Sequence, residues 1–532
     1  MGIFHLSSVP WNFKVGIEGL WSWDGFLILS SLVLCYAVTL GTYRLWFHRL
    51  AGFPGPWYIA ISYWPEFYYD VILGGQYFKV IDELHAQYGP VVRVNPNEVH
   101  FDDAEFIDTL FPLSGRKTDK PISTGKRTGT PESLVTTVSH DAHRRRRNAV
   151  NVFFSNNSIR RLEPIIQERL SKLLERISDP DVKEKPIEMH PLFRACTNDV
   201  ITTYAFGHSL GLLESPDLGK AYYRSSDVFF RLSHLFGHFH FLADLMQLIP
   251  LKLVPFLDPR MKELVEKQIY WINKVREIRG DAPTIQDASI AKTKNTIFEG
   301  IVRAGLPGED LTDKRLAAEA QLIIFAGEGT TAYTLMAATY ELLANPSTLE
   351  RLREELVAAI PDNTSLPTFA QVEGLPYLNA VIQETVRLHP GVMARQARIS
   401  PDVPVVYKDK YVVPPGTLFS MSPLTTHLTA KEFGPDNYAF RPQRWIDDPS
   451  IGRAFLGFAR GSRNCVGMNM ARKEMTLVLA TLFRRYELYR GQEGPTMELF
   501  DTERKRDVDP NFDYIIPVPA KGSCGLRVVF RH

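Results

Sequence analysis

What this 532-residue chain lacks narrows the field first. It has four cysteines, Cys35, Cys196, Cys465 and Cys524, far apart in the chain and without paired spacing. That excludes a disulfide scaffold and a cysteine-built zinc site, and it points to a reducing compartment. Sixty-one basic residues face sixty acidic ones, a net charge of +1, so no overall field draws the chain towards nucleic acid. It contains no Gly-x-Gly-x-x-Gly run and therefore no dinucleotide fingerprint of its own. There is no internal repeat and no low-complexity linker. A chain this long often divides into several domains, yet no shift in composition splits this one. An apolar content of 45% with 23% charged residues describes an ordinary folded protein with a large core.

What is present begins with nineteen uncharged residues, 25–43 (GFLILSSLVLCYAVTLGTY), just long enough to cross a bilayer as a helix. Trp21 and Trp23 precede the run, and Tyr43, Arg44, Trp46, His48 and Arg49 follow it, a pattern of interfacial anchors. The positive flank is C-terminal, which places the following chain on the cytosolic side. A cleaved signal sequence is the rival reading, but the run is long for one and no small-residue cleavage site stands out. The expected order is a lumenal segment over 1–24, an anchor over 25–43, a basic and proline-rich stiff hinge over 44–57 and a catalytic domain over 58–532.

Within that domain, residues 91–94 and 98–101 read as short strands around the turn Asn95-Pro96-Asn97. Helical patterning dominates from about 141 to 387, and short strands return over 397–421 and 512–530. The fold class expected is mainly α with small β-sheets, in one large domain. The clearest helix covers 313–344, with Thr312 as N-cap and Asn345-Pro346 as stop; it should run about 48 Å. Its middle, Phe325-Ala326-Gly327-Glu328-Gly329-Thr330-Thr331, carries two glycines, each costing about 1 kcal/mol against alanine. Either something approaches the backbone closely or the helix opens there; a kinked packing helix with buried threonines is the plainer alternative.

The strongest signal is Phe458-Ala459-Arg460-Gly461-Ser462-Arg463-Asn464-Cys465-Val466-Gly467. Cysteine binds metal as its thiolate and needs positive potential nearby. Arg463 is expected to supply charge, and a helix over about 466–486 to aim N-terminal amides at the sulfur. Gly461 and Gly467 leave bare backbone for a flat cofactor. Taken alone, Cys465 reads as a packing residue; the spacing around it is what distinguishes it. Glu384 and Arg387 stand at i and i+3 on one helix, where a solvated ion pair is the common outcome, and Arg444 could join them in a buried network. His143 is followed by Arg144, Arg145, Arg146 and Arg147, which as a plain run is a solvated basic surface. Arg395 and Arg398 lie on an expected strand. His234, His238 and His240 lack neighbouring carboxylates or cysteines in sequence and read as helix packing rather than a metal site.

In this order the segments resemble the cytochrome P-450 monooxygenase family over nearly all of 53–532, with the anchor and the wording HRRRRNAVNVFFS similar to its fungal secondary-metabolism branch. The resemblance implies haem b with Cys465 as axial ligand to iron and Phe458, Arg463 and Gly467 in the ligand loop. It implies His143, standing where the family has tryptophan, together with Arg147 and Arg398, at the haem propionates. Thr330 and Glu328 become the catalytic residues of the oxygen-binding helix, and Glu384, Arg387 and Arg444 the structural network. It implies electrons from NADPH through a separate flavoprotein reductase, docked by Arg460, Arg472, Lys473 and some of Arg144 to Arg146. Further implications are O2 and a lipophilic substrate, with a terpenoid or polyketide suggested by the branch. Residence in the endoplasmic reticulum membrane by a single pass follows too, with no nucleic-acid partner. Two departures stand out: Gly329 occupies the place of the usual acid before the threonine, and Gln443 that of the glutamate before Arg444. The first keeps open a haem-thiolate isomerase, dehydratase or coupling enzyme, and beyond these a non-catalytic membrane-anchored haem protein.

Overall fold

A computed structural model describes residues 23–180, 184–250, 253–254, 262–280 and 296–532. The uncharged run forms helix α1 (Trp23–Thr42), continued by a π-helical turn over Tyr43–Phe47. Together they are long and apolar enough to cross a membrane, and none of that apolar window is buried against the body. A strongly apolar helix that touches the body only at its C-terminal end, where Gly41 approaches Ile61, is suited to lipid. The segment before Trp23, including Trp21, lies outside the described residues.

The stretch after it, expected as a hinge, is docked onto the body. Leu50 is fully buried, Arg93 donates to the carbonyls of Arg44 (2.9 Å) and Pro96 (2.8 Å), and Arg49 reaches the carbonyl of Pro415 at 3.1 Å. Gly55, at φ +150°, lets the chain lie against this strand, since a Cβ there would meet the Arg93 carbonyl at 2.8 Å.

The body is mainly helical with small sheets. The helices that build the site are α2 (Ile122–Thr128), α3 (His140–Asn151), α4 (Met189–Phe206), α5 (Lys220–Arg231), α6 (Ser233–His238), α7 (Lys262–Arg279), α8 (Asp313–Ala344), α9 (Pro376–Leu388) and α10 (Met468–Arg485). Helix α8 has the expected bounds; Thr312 caps it by accepting from the Arg315 amide at 3.3 Å. It is buried along most of its length, as its lack of a polar face dictates. Helices α4, α7, α9 and α10 pack around it in one apolar cluster.

Strands form in the expected segments 91–101, 397–421 and 512–530, and three more, over Pro186–Glu188, Glu487–Leu488 and Thr496–Leu499, lie outside them. Strands β1 (Val91–Asn95) and β2 (Glu98–Phe101) join β4 (Arg398–Ile399) and β7 (Leu418–Ser420) in one sheet of order β1-β2-β7-β4. Hairpin β5–β6 (Val405–Tyr407, Tyr411–Val413) sits beside it. Strand β3 (Pro186–Glu188) and the C-terminal β12 (Arg527–Arg531) join β8 (Glu487–Leu488) and β9 (Thr496–Leu499) in a second sheet. A hairpin of β10 (Phe512–Tyr514) and β11 (Ile516–Val518) reaches back towards α6.

Candidate active site

One large internal cavity of about 930 Å³ runs through the body between α8, α3, α2, α6 and the loop carrying Cys465. Gly327 shapes its wall, whereas Gly461, expected to leave bare backbone for a cofactor, lies off the cavity and packs against the Phe111–Pro112 backbone. Gly461, at φ +72°, passes so close to the chain that a Cβ would meet the Phe111 carbonyl at 2.3 Å. Gly327 lets α4 approach α8, since a Cβ there would meet Ile201 Cγ1 at 2.9 Å. Nothing lies within 4 Å of a Cβ built on Gly329. Of the two explanations for the glycines of α8, close approach accounts for Gly327 and not for Gly329; α8 stays helical throughout.

The Cys465 side chain opens onto this cavity from a tight loop, its amide donating to the Phe458 carbonyl at 2.9 Å. Burial pushes the thiol above its ordinary value, while the Gly467 amide, bonded to the sulfur, and the Arg147 charge act the other way. The positive charge felt by the sulfur therefore comes from Arg147. Arg463, expected in that role, is turned aside: its guanidinium donates to the carbonyls of Thr137 (2.5 Å), Val138 (2.8 Å) and Thr118 (3.2 Å). Arg147 donates to the Asn464 carbonyl (2.5 Å) and side-chain oxygen (2.8 Å), locking α3 to the cysteine loop. Phe458 borders the cavity and is capped by the Arg472 guanidinium at 5.3 Å.

Beside the loop, Lys120, His143, Arg147, Arg398 and Arg463 all line the cavity. Burial and mutual repulsion drive Arg398 down to about 9, His143 to about 2 and Lys120 well below its ordinary value. Arg398 donates only to its neighbour's carbonyl (2.8 Å) and lies over Phe111; Arg463 Nε is buried without a partner. None of these five has a carboxylate within 4.0 Å among the described residues. Charging this cluster of basic groups without anions is costly as it stands.

The cytochrome P450 family model matches residues 54–503, most of the chain. Cytochrome P450 monooxygenase tpcC of Cochliobolus heterostrophus is 38% identical over 94% of this chain and 96% of its own. Cytochrome P450 monooxygenase MO6277 of Ascocoryne sarcoides is 37% identical over 95% and 98%. Tryptophan 6-hydroxylase fscE of Fusarium equiseti is 34% identical over 95% and 96%. The chain belongs to the cytochrome P450 family.

As a P450 monooxygenase it is an oxidoreductase that uses haem, O2 and a small-molecule substrate. The cavity fits that cofactor on its own evidence. It offers a cavity-facing thiol beside Gly467, which also lines it, at one wall and, at its edge, basic groups that lack the anions two propionate carboxylates would provide. Arg395, an alternative propionate partner in the sequence, is not among them: it is neutralised by Glu66 and by Glu98 at 3.0 Å. Lys120 was missed, since a lone lysine ahead of a short helix carries no sequence signal.

The two candidate catalytic residues part company. Thr330 borders the cavity and donates to the Ala326 carbonyl at 2.8 Å. Glu328 does not border it. Its carboxyl is fully buried, 3.2 Å from Arg194 and bonded to Asn198, both on α4, while Thr197 donates to its carbonyl at 2.9 Å. Two residues along a helix are about 200° apart, so an acid two before the threonine faces the other way. Burial holds Glu328 above the ordinary carboxylate range despite Arg194.

The structural network is as expected and larger. Glu384 accepts from Arg387 Nε and Nη2 (2.8 Å each), Arg444 Nε (3.0 Å), the Trp445 indole (2.8 Å) and the Arg441 amide (3.0 Å). With every lone pair occupied, losing one partner would cost about 3–5 kcal/mol. The side chain of Gln443 bonds Asp447 at 2.7 Å, outside this network.

The basic face expected to dock a reductase is largely neutralised. Arg145 and Arg146 each meet Asp310 at 2.7 Å, and Lys473 meets Glu373 at 2.5 Å. Arg460 donates to the carbonyls of Phe455, Gly452 and Arg453. Arg144 remains exposed. The histidines of α6 do acquire carboxylate neighbours, from residues remote in sequence: Asp70 lies 3.3 Å from His234, and Glu66, Asp70 and His238 place ligand-type atoms within 4.8 Å of one another. Arg395 and His234 already neutralise these acids.

Also missed is Glu474 on α10, buried at the cavity wall with Oε1 unpartnered, its carboxyl pushed well above its ordinary value by burial.

Proposed function

We propose that this P450 holds haem b through Cys465 and oxidises a lipophilic intermediate of secondary metabolism, a terpenoid or polyketide, at the endoplasmic reticulum membrane. The observation that carries the site assignment is the pairing of a cavity-facing thiol with a buried group of basic side chains that lacks anions. His143, Arg147, Arg398 and Lys120 would hold the propionates; Arg463 would complete the group while fixing the loop to the carbonyls of Thr118, Thr137 and Val138. The bound haem supplies dioxygen activation, favoured by thiolate donation.

The chain's own residues do the rest. Thr330 presents a hydroxyl at the cavity wall, with Thr331 and Thr334 nearby along α8, and it would orient the water that brings protons. Glu328, held by Arg194 and Asn198, would act as a brace between α8 and α4. Leu322, Ile323, Phe325, Ala326 and Val392 give the chamber apolar walls that exclude water and accept a lipophilic body. The absence of a dinucleotide motif supports electron supply from NADPH through a separate flavoprotein reductase. Helix α1 supports a single-pass anchor with the body facing the cytosol. The tryptophan hydroxylase among the relatives adds aromatic amino-acid derivatives to the substrates to be screened.

The test is co-expression with a reductase in a host fed candidate terpenoids, polyketides and aromatic amino acids under labelled dioxygen, read by mass spectrometry. One labelled oxygen in a directly formed product is the expected result. A product formed without label favours the isomerase, dehydratase or coupling reading, which the open space at Gly329 and the turned-away Glu328 keep in view.

A further inference from the structure

The end of the chamber built by α2, α6 and the β10–β11 hairpin is charged, unlike the apolar walls along α8. Arg127, in the last turn of α2, lines the cavity there. Its Nη2 lies 3.3 Å from His234 Nδ1, which already faces Asp70, and its Nε is buried with no partner. No carboxylate lies within 4.0 Å of its guanidinium among the described residues. The nearest acids are engaged elsewhere. Asp70 takes His234 at 3.3 Å and the Tyr77 amide at 3.1 Å; Asp513 takes the Ile515 amide at 2.8 Å. Of the other guanidinium groups lining the cavity here, Arg395 is neutralised by Glu66 and Glu98 and Arg44 donates to the Ile61 carbonyl at 2.5 Å.

The placement of Arg127 is built into the packing. Gly237 of α6 leaves room for its stem, since a Cβ there would stand 2.9 Å from Arg127 Cδ. The neighbouring Lys126 is drawn to Asp244, so the two adjacent cations diverge. Ser123 and Thr124, one turn earlier on α2, also line the cavity and offer hydroxyl donors beside the guanidinium. A planar fork of donors carrying full charge, in a partly desolvated chamber and without its own anion, is matched by a carboxylate.

We propose that Arg127 is the carboxylate anchor of the substrate chamber, so that the molecule oxidised is a lipophilic carboxylic acid. This deepens the monooxygenase reading above and rests on it. Arg127 faces the cavity between α2 and α6 and Cys465 faces it from its own loop, so the acid group and the oxidised carbon are separate parts of the substrate. Oxidation then falls on the apolar body, away from the carbon bearing the acid.

The test is a spin-state titration of the haem-loaded, full-length protein with dodecanoate and with dodecanol, probes that share an alkyl chain and differ in charge. The wild type is expected to bind dodecanoate at least about tenfold more tightly. Arg127→Gln should remove that preference and Arg127→Lys should keep most of it. Equal binding of the two probes by the wild type, no spin shift with either, or an unchanged preference in Arg127→Gln overturns the proposal. The reduced, carbon-monoxide-bound spectrum separates the two levels. An intact thiolate-type band with no acid preference refutes the anchor alone, whereas its absence in the wild type refutes the haem site and the anchor together.

Discussion

Glu328 Oε1 lies 3.2 Å from Arg194 Nη2, both buried between α8 and α4. This pair decides the role of the only acid in the central segment of the long helix: its carboxylate joins two helices and leaves the cavity to Thr330. Glu328→Ala would leave Arg194 with only the half-exposed Asp227 at 3.1 Å and Asn198 without its acceptor, and is expected to lower stability by about 1–3 kcal/mol, visible in thermal melts of the holoprotein. A variant that melts like the wild type but no longer turns over would show that the carboxyl acts in the chemistry instead.

The two glycines on either side of Glu328 should respond oppositely to the same change. Gly329→Ala meets nothing within 4 Å and removes a helix-weakening residue, so a gain of about 0.5–1 kcal/mol is expected. Gly327→Ala drives a methyl to 2.9 Å from Ile201 Cγ1, and overpacking of that kind costs about 1–3 kcal/mol. Chemical denaturation of both variants checks the contrast.

The pair formed by Asp70 and His234 makes stability depend on pH in a definite direction. Burial works against both charges, but His234 holds Asp70 down at about 2 and Asp70 holds His234 above its ordinary value. The carboxylate contribution is present above the unfolded Asp value and lost as pH falls towards 2. The imidazolium contribution is complete below the unfolded His value and lost as pH rises through the raised one. Melting temperature should therefore decline as pH rises above about 6.5. His234→Gln should flatten that decline; an unchanged slope would mean that the pair contributes nothing.

Local patterns were readable where one element decides the outcome. The bounds of α8 follow from Thr312 and Asn345-Pro346, and most of the sheet strands from short alternating runs beside turn residues. The bond between Glu384 and Arg387 follows from helical spacing; Trp445 and the Arg441 amide joining it do not, because a loop some sixty residues away delivers them. The outward turn of Glu328 was available from the 100° step alone, but Arg194 as its partner was not. Long-range juxtapositions escaped altogether: Asp70 against His234 and Lys120 beside Arg398 come from segments with no pattern in common. Arg463 shows the opposite error, in which a charge near the cysteine in sequence is spent on three carbonyls while Arg147, from another helix, faces the sulfur.

The account depends on sulfur at position 465 binding haem iron, and the reduced, carbon-monoxide-bound absorption spectrum of the purified full-length protein tests this most directly. A strongly red-shifted Soret band, lost in Cys465→Ala, is the predicted result. A colourless protein after adequate haem supply, or an unshifted band that survives the substitution, would contradict it.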